Sequence, residues 1–206
     1  MLSKDIRNLC MPDILIYRKE VYRKIVHIAS CTTIAILLCY FGKEVFLPWI
    51  LPVAISFPII DYSRKYIPLI KRLSFTLFGI ITRRHEHHTL SGASWVFIGA
   101  GFTVYIFNEQ IALIALLVIG LSDSAAALIG IKYGATRLFN KSLEGSLAFF
   151  ITTYLIIFFL SSSSFLLLLI ATISATAIEL LSTPKLNDNV LIPISTALIL
   201  SIGGIN

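Results

Sequence analysis

Residues 111–131 read IALIALLVIGLSDSAAALIGI, an apolar run interrupted by a single ionisable group, Asp123. As an α-helix rising 1.5 Å per residue, the run is long enough to cross a hydrocarbon core of about 30 Å. A charged side chain near the centre of such a helix costs about 2.5 kcal/mol or more, so it faces a wet cavity, a metal or a partner rather than acyl chains. Asp123, Ala126, Ala127, Gly130 and Gly134 fall at i, i+3, i+4, i+7 and i+11, which puts them on one stripe of the helix. A carboxylate therefore heads a strip floored by small residues, about 13 Å along the axis from Lys132 at the helix end. Two uses fit that strip: close helix packing with the aspartate paired to a cation, or close approach of a ligand's phosphates to glycine backbone.

The residues that follow favour an anionic ligand. Lys132, Arg137 and Lys141 bring positive charge, and Lys141-Ser142-Leu143-Glu144-Gly145-Ser146 opens the next apolar run. Ser142 is placed to cap that helix, whose free N–H groups and dipole suit phosphate. Glu144 sits in its first turn, where it can join Asp123 on a divalent cation. Magnesium in particular takes one or two carboxylates and fills its other positions with phosphate and water.

The rest of the chain supplies the frame. It has 206 residues, 57% hydrophobic and 14% charged, against roughly 25% charged in soluble domains. This predicts an all-α, polytopic membrane helix bundle, one integral-membrane domain over 1–206, with spans near 24–41, 46–60, 93–107, 111–131, 146–160, 165–181 and 190–202. Pro48, Pro52 and Pro58 make the second span an irregular one. Ser161 to Ser164 reads as a short turn, and the first apolar run reads as a span rather than a cleaved signal. Pro68 to Ile81 places Leu69, Ile70, Leu73 and Leu77 on one helical face and Lys71, Arg72, Ser74 and Thr76 on the other, which predicts an amphipathic helix in the headgroup region.

Charge distribution orients the bundle. With the N-terminus in the cytoplasm, the cytoplasmic segments hold 16 of the 17 Lys and Arg residues, and only Lys43 lies opposite. The positive-inside rule then puts the C-terminus on the far side and nearly every polar cluster toward the cytosol. The net charge of +6 thus reads as membrane orientation, and no nucleic-acid module accompanies it. Cys10, Cys31 and Cys39 match no zinc spacing.

Other polar clusters sit at the same predicted end. Glu20, Arg23, Lys24 and His27 lie at i, i+3, i+4 and i+7, one face at the start of the first span, and are expected to point inward. Asp61 and Arg64 form an i, i+3 ion pair. His85-Glu86-His87-His88 lacks the His-Glu-x-x-His spacing of a helical zinc site and reads as a polar interfacial loop. Glu179 reads as a partner for Lys132 or Arg23, and Asp188-Asn189 as a cap for the last span.

Asp123 to Gly134, followed by Lys141-Ser142-Leu143-Glu144-Gly145-Ser146, resembles the signature of the polyprenol kinase family, which includes dolichol kinase, phytol kinase and the CTP-dependent diacylglycerol kinase. The pattern is also related to that of phosphatidate cytidylyltransferase. Glu20, Arg23, Lys24 and His27 resemble the family's opening motif. Arg84, Glu86, Ser91 and Gly92 resemble its middle one, and Glu179, Asp188-Asn189 and Pro193 its closing elements. The resemblance implies phosphoryl transfer from CTP to a membrane lipid alcohol, with Mg²⁺ on Asp123 together with Glu144 or Asp188. It implies that Arg23, Lys24, Gly130, Lys132, Gly134, Lys141, Ser142 and Gly145 hold the nucleotide, and that Asp123 or His27 takes the hydroxyl proton. CMP transfer of the cytidylyltransferase kind is the alternative. A small ion-coupled transporter using Asp123 and Glu179 is a third, but no internal repeat supports it.

Overall fold

The computed structural model describes residues 3–79, 89–139, 141–182 and 187–204. Among these the chain is all-α apart from one short β-ladder. Helix α1 (Ser3–Ser63) is followed by α2 (Pro68–Phe78), α3 (Gly92–Ile106) and α4 (Glu109–Leu117). A single π-helical turn (Val118–Ser122) leads from α4 into α5 (Asp123–Tyr133). Strands β1 (Arg137–Leu138) and β2 (Lys141–Ser142) pair antiparallel before α6 (Leu143–Leu160), α7 (Phe165–Leu181) and α8 (Asp188–Ile202). Arg84, Glu86 and the His85–His88 cluster lie outside the described residues, as do Ile80 and Ile81 of the expected amphipathic helix.

Among the described residues, three helical stretches are long and apolar enough to cross a membrane: Tyr17–Ser63, Glu109–Tyr133 and Leu143–Leu160. Helices α3, α7 and α8 are shorter and equally apolar in character. The apolar surface agrees with this, since Tyr40, Trp49, Phe159, Phe165 and Ile202 are all exposed. Side chains of this kind on the outside suit a protein solvated by lipid.

The first two expected spans form one continuous element with a break at Gly42, whose φ of 73° and ψ of 158° leave the helical region. Only glycine occupies that conformation without strain. Beyond it the second arm stays helical through Pro48, Pro52 and Pro58, contrary to the expected irregularity. Proline's fixed φ is itself helical, so each ring costs a hydrogen bond but does not turn the chain. The arms return alongside each other, because Val26 and His27 of the first and Phe57 and Ile60 of the second line one cavity. Lys43 pins the turn: its backbone N–H donates to Glu109 Oε2 at 2.8 Å, and its ammonium donates to the carbonyls of Phe107 (2.7 Å) and Tyr105 (3.1 Å) at the end of α3.

Helix starts carry the caps that the sequence offers. Asn108 accepts from the Ile111 N–H, Ser142 from Gly145 and Ser164 from Leu167. For α8 the cap is Asn187, which accepts from Asn189 at 3.0 Å, one residue before the expected Asp188-Asn189. Within a bilayer, helices associate through close packing rather than through the hydrophobic effect. The core accordingly joins small side chains with large ones: Ala112, Ala115, Ala171 and Ala175 beside Leu38, Ile114 and Phe149. The α4–π–α5 rod is the most buried of the three long stretches.

Candidate functional site

The site forms where the first arm of α1 crosses the π turn and α5 in antiparallel register. Lys24, His27 and Cys31 share one face of α1, and they meet Asp123, Ile119 and Gly120 in that order. Gly120 permits the crossing, since a Cβ there would lie 2.7 Å from Cys31 Cβ. One turn away, His27 Nε2 donates to the Ile119 carbonyl at 3.1 Å. At the next, the buried Lys24 ammonium forms an ion pair with Asp123 Oδ2. His27 Nε2 lies 3.5 Å from the same carboxylate oxygen. The Ile119 carbonyl and the Asp123 carboxylate are both acceptors, so Nε2 carries a proton toward them, and Cys31 Sγ lies 4.0 Å from the same nitrogen. π turns inside α-helices are rare and concentrate at functional sites. This one ends immediately before Asp123.

The opening motif therefore faces inward, as its spacing predicts. Lys24 is 3% exposed, and Arg23 pairs with Glu20, Nε donating to Oε2 at 3.1 Å. Asp123, Lys24 and His27 gather at one point.

Close by is a second charged group. Lys141 Nζ sits 2.7 Å from Glu179 Oε1 and 3.8 Å from Asp188 Oδ2. Glu179 is 1% exposed, and its other oxygen accepts from Ser146 Oγ at 3.2 Å. Burial by itself would lower the Lys141 pKa. The carboxylates of Glu179 and Asp188, with a further contribution from Asp123, raise it above the ordinary lysine value. The partner of Glu179 is thus Lys141 and not Lys132 or Arg23. A carboxylate on α7 and an ammonium on β2 are 38 residues apart in sequence, and no local spacing could have paired them.

Two expected contributors lie elsewhere. Lys132 is exposed, with its ammonium 5.0 Å from the Tyr133 ring centroid. Glu144 accepts from the Thr136 N–H at 3.1 Å and closes the loop ahead of β1. The small-residue strip is also occupied. A Cβ on Gly130 would lie 2.7 Å from Ser142 Oγ, and one on Gly145 would lie 2.7 Å from the Ala126 carbonyl oxygen. A Cβ on Gly134 would collide with the Gly130 carbonyl and come within 2.8 Å of Ser142 Cβ. These three glycines let α5 and the start of α6 touch, so the groove suggested by the sequence is filled by Ser142.

Among the described residues no group of three His, Cys, Asp or Glu side chains gathers to hold a metal. Magnesium bound with a nucleotide needs fewer, one or two carboxylates with phosphate and water. Glu179 and Asp188 converge on one cation, the Lys141 ammonium, and carboxylate oxygens are the donor type that such an ion takes.

Asp61 and Arg64 pair at 3.1 Å as expected, and the pair does more than close a local turn. Asp61 Oδ2 accepts from Ser91 N and Ser94 Oγ, both at 2.7 Å, and Arg64 Nη2 donates to the Thr89 carbonyl at 2.8 Å. The pair thereby fixes the start of α3 against the end of α1. Asn189 adds a contact from α8, with Nδ2 donating to the Gly92 carbonyl. Between these elements and α2 lies a cavity of about 290 Å³. It is lined by Arg23 and His27 at one side and by mostly apolar residues elsewhere.

Comparison with known proteins gives several relatives. A "CTP-dependent diacylglycerol kinase 1" of Saccharomyces cerevisiae is 36% identical over 141 residues, which is 66% of this chain and 48% of the yeast protein. An uncharacterized protein of Rickettsia prowazekii is 31% identical over 148 residues, 68% of this chain and 72% of that protein. An uncharacterized protein of Methanocaldococcus jannaschii is 27% identical over 188 residues, 89% of this chain and 93% of the other. The chain spans about half the length of the yeast kinase it matches. No family model matches, and no solved structure is similar. Relatives named CTP-dependent diacylglycerol kinase 1, at 31–36% identity, thus support the resemblance of the motifs in this chain to the polyprenol kinase family.

Proposed function

We propose that this chain is a CTP-dependent lipid kinase, moving the terminal phosphoryl group of CTP to the hydroxyl of a membrane lipid alcohol: a polyprenol or dolichol, a phytol-type isoprenoid, or diacylglycerol. The observation that carries this reading is the buried Asp123 carboxylate held by Lys24 beside His27, with Lys141, Glu179 and Asp188 next to it. Phosphoryl transfer asks a protein chiefly for positioning and charge neutralisation. Lys24, Lys141 and Arg23 supply positive charge at one end of the bundle, where Ser142 and Gly145 start α6 with its N-terminal dipole toward the same region. Glu179 and Asp188, with Asp123, are the carboxylates that would hold Mg²⁺. When bound, the ion supplies neutralisation of the triphosphate oxygens.

Nucleotide binding changes the role of the two lysines. In the ion-paired arrangement each ammonium compensates a carboxylate, and a nucleotide–metal complex brings its own counter-charges to both partners. The acceptor hydroxyl would lose its proton to His27 or to Asp123. Seven spans with α2 in the headgroup layer, one domain throughout, a cytoplasmic N-terminus and a C-terminus on the far side complete the arrangement; the clustering of Lys and Arg supports it.

Label placement tests the reaction. Purified protein in lipid nanodiscs receives Mg²⁺, either one of a panel of lipid alcohols or phosphatidate, and CTP labelled at either the γ or the α phosphate. The kinase reading expects γ label in the lipid and none from the α position. Transfer of α label to phosphatidate would instead make the enzyme a cytidylyltransferase.

A further inference from the structure

We propose that the cavity between the two arms of α1 and beneath α2 is the acceptor pocket, taking the hydroxyl-bearing end of the lipid with its hydrocarbon stem. The choice of occupant rests on the lipid-kinase reading; the pocket itself rests on geometry. Its walls are apolar, with Phe57 and Ile60 from the second arm of α1 and Val96 and Phe97 from α3. Ile70 and Leu73 of α2 form its cover. A long apolar stem is what such walls accommodate without leaving buried polar groups unmet.

Arg23 and His27 join this pocket to the charged centre. His27 lines the cavity while its Nε2 lies against Ile119 and Asp123. A hydroxyl seated at the imidazole is therefore one ring away from the Asp123–Lys24 pair. The other polar groups at this end are largely committed to the fold. Asp61 holds Arg64, Ser91 and Ser94, and Ser30 Oγ donates to the Val26 carbonyl. The pocket thus offers a largely apolar wall, with Arg23 and His27 as the polar groups that adjoin the charged centre and Asp61, Arg64, Ser91 and Asn189 as polar groups that tie helices together. Its cover is α2, which lines the cavity with Ile70, Leu73 and Ser74 and exposes Lys71 and Arg72 together with Leu69 and Phe75. That gives a lipid a lateral route from the headgroup layer, with its tail left in hydrocarbon.

Two substitutions fill the pocket from opposite walls without entering the packed core. Ala93→Trp acts from α3 and Ser74→Trp from α2; neither residue is buried. In γ-labelled CTP assays each should raise the KM for the lipid alcohol by about tenfold or more, the size of a modest steric penalty, and leave the KM for CTP unchanged. An active wild type whose lipid KM is indifferent to both substitutions overturns the pocket. A second measurement is independent of catalysis. A diazirine-bearing prenyl alcohol or diacylglycerol, photolysed with the protein in nanodiscs, should crosslink to residues 70–74 and 93–97. Labelling confined to the outer surface of the bundle overturns the proposal. If the wild type transfers no label but the crosslinks map to the pocket, the kinase reading falls and the lipid site stands.

Discussion

The substitution Lys24→Met separates the structural role of the Asp123 site from its chemical one. The pair is almost fully enclosed, with side-chain exposures of 4% for Lys24 and 7% for Asp123. Removing one partner of a buried pair typically costs about 3–5 kcal/mol, because the other charge stays buried without compensation. His27 Nε2, 3.5 Å from the carboxylate, softens the loss, so the lower end, about 3 kcal/mol, is expected. For a chain of this size that lowers the melting temperature by roughly 6–12 °C. The double variant Lys24→Met/Asp123→Asn removes both charges and should recover most of the loss, since a buried pair replaced as a unit is often neutral. Thermal unfolding in detergent can be followed through Trp49 and Trp95. CTP-dependent labelling of lipid is measured on the same samples. The expected result is a destabilised single variant, a restored double variant, and no activity in either. A double variant that is both stable and active would refute the assignment of the pair to the reaction. A Lys24→Met protein as stable as the wild type would refute its burial.

Other consequences follow from specific contacts. Gly42→Ala forces a side chain into a backbone conformation reserved for glycine and should cost about 1–3 kcal/mol, read as a lower melting temperature. Gly145→Ala drives a methyl group against the Ala126 carbonyl oxygen and should destabilise by about 1–3 kcal/mol. Ala substitution at Gly204, where φ is also positive at 79° but nothing lies within 4 Å, separates backbone strain from a steric clash. Glu144→Gln should keep activity within a few-fold of wild type, because that carboxylate accepts from the Thr136 N–H of the loop ahead of β1. Glu179→Gln should raise the Mg²⁺ concentration needed for half-maximal activity by about tenfold or more. Equal effects from the two glutamates would contradict the choice of carboxylates.

Much of the helical frame was legible in the sequence because a membrane helix must satisfy its own backbone, so apolar length alone reports it. Residues 165–181 coincide with α7, and α3 begins and ends one residue before the expected 93–107. The second span was misread for a local reason. Three prolines draw attention to a kink, whereas the break lies at Gly42, between two expected spans, where a positive φ turns the chain. At the site, i, i+3, i+4, i+7 spacing was enough to place Glu20, Arg23, Lys24 and His27 on one face, and the buried lysine confirms its direction. What periodicity does not encode is which face meets which. The crossing of α1 with the π turn depends on Gly120 admitting Cys31, and the Lys141–Glu179–Asp188 group comes from three elements joined only by the bundle. Glycine was ambiguous from sequence for the same reason: room beside Gly130 and Gly145 serves a ligand or a neighbouring helix equally well, and here Ser142 and Ala126 take it. The π turn left no signal that alternation or periodicity could report.

The most direct test compares wild type with Asp123→Asn, reconstituted in nanodiscs with γ-labelled CTP, Mg²⁺ and a lipid alcohol. Asparagine keeps the side chain's size and removes its charge, and insertion is checked by the unfolding profile of each protein. The account predicts label transfer to the lipid by the wild type and none above background by the folded variant. Transfer at the wild-type rate by Asp123→Asn would contradict it.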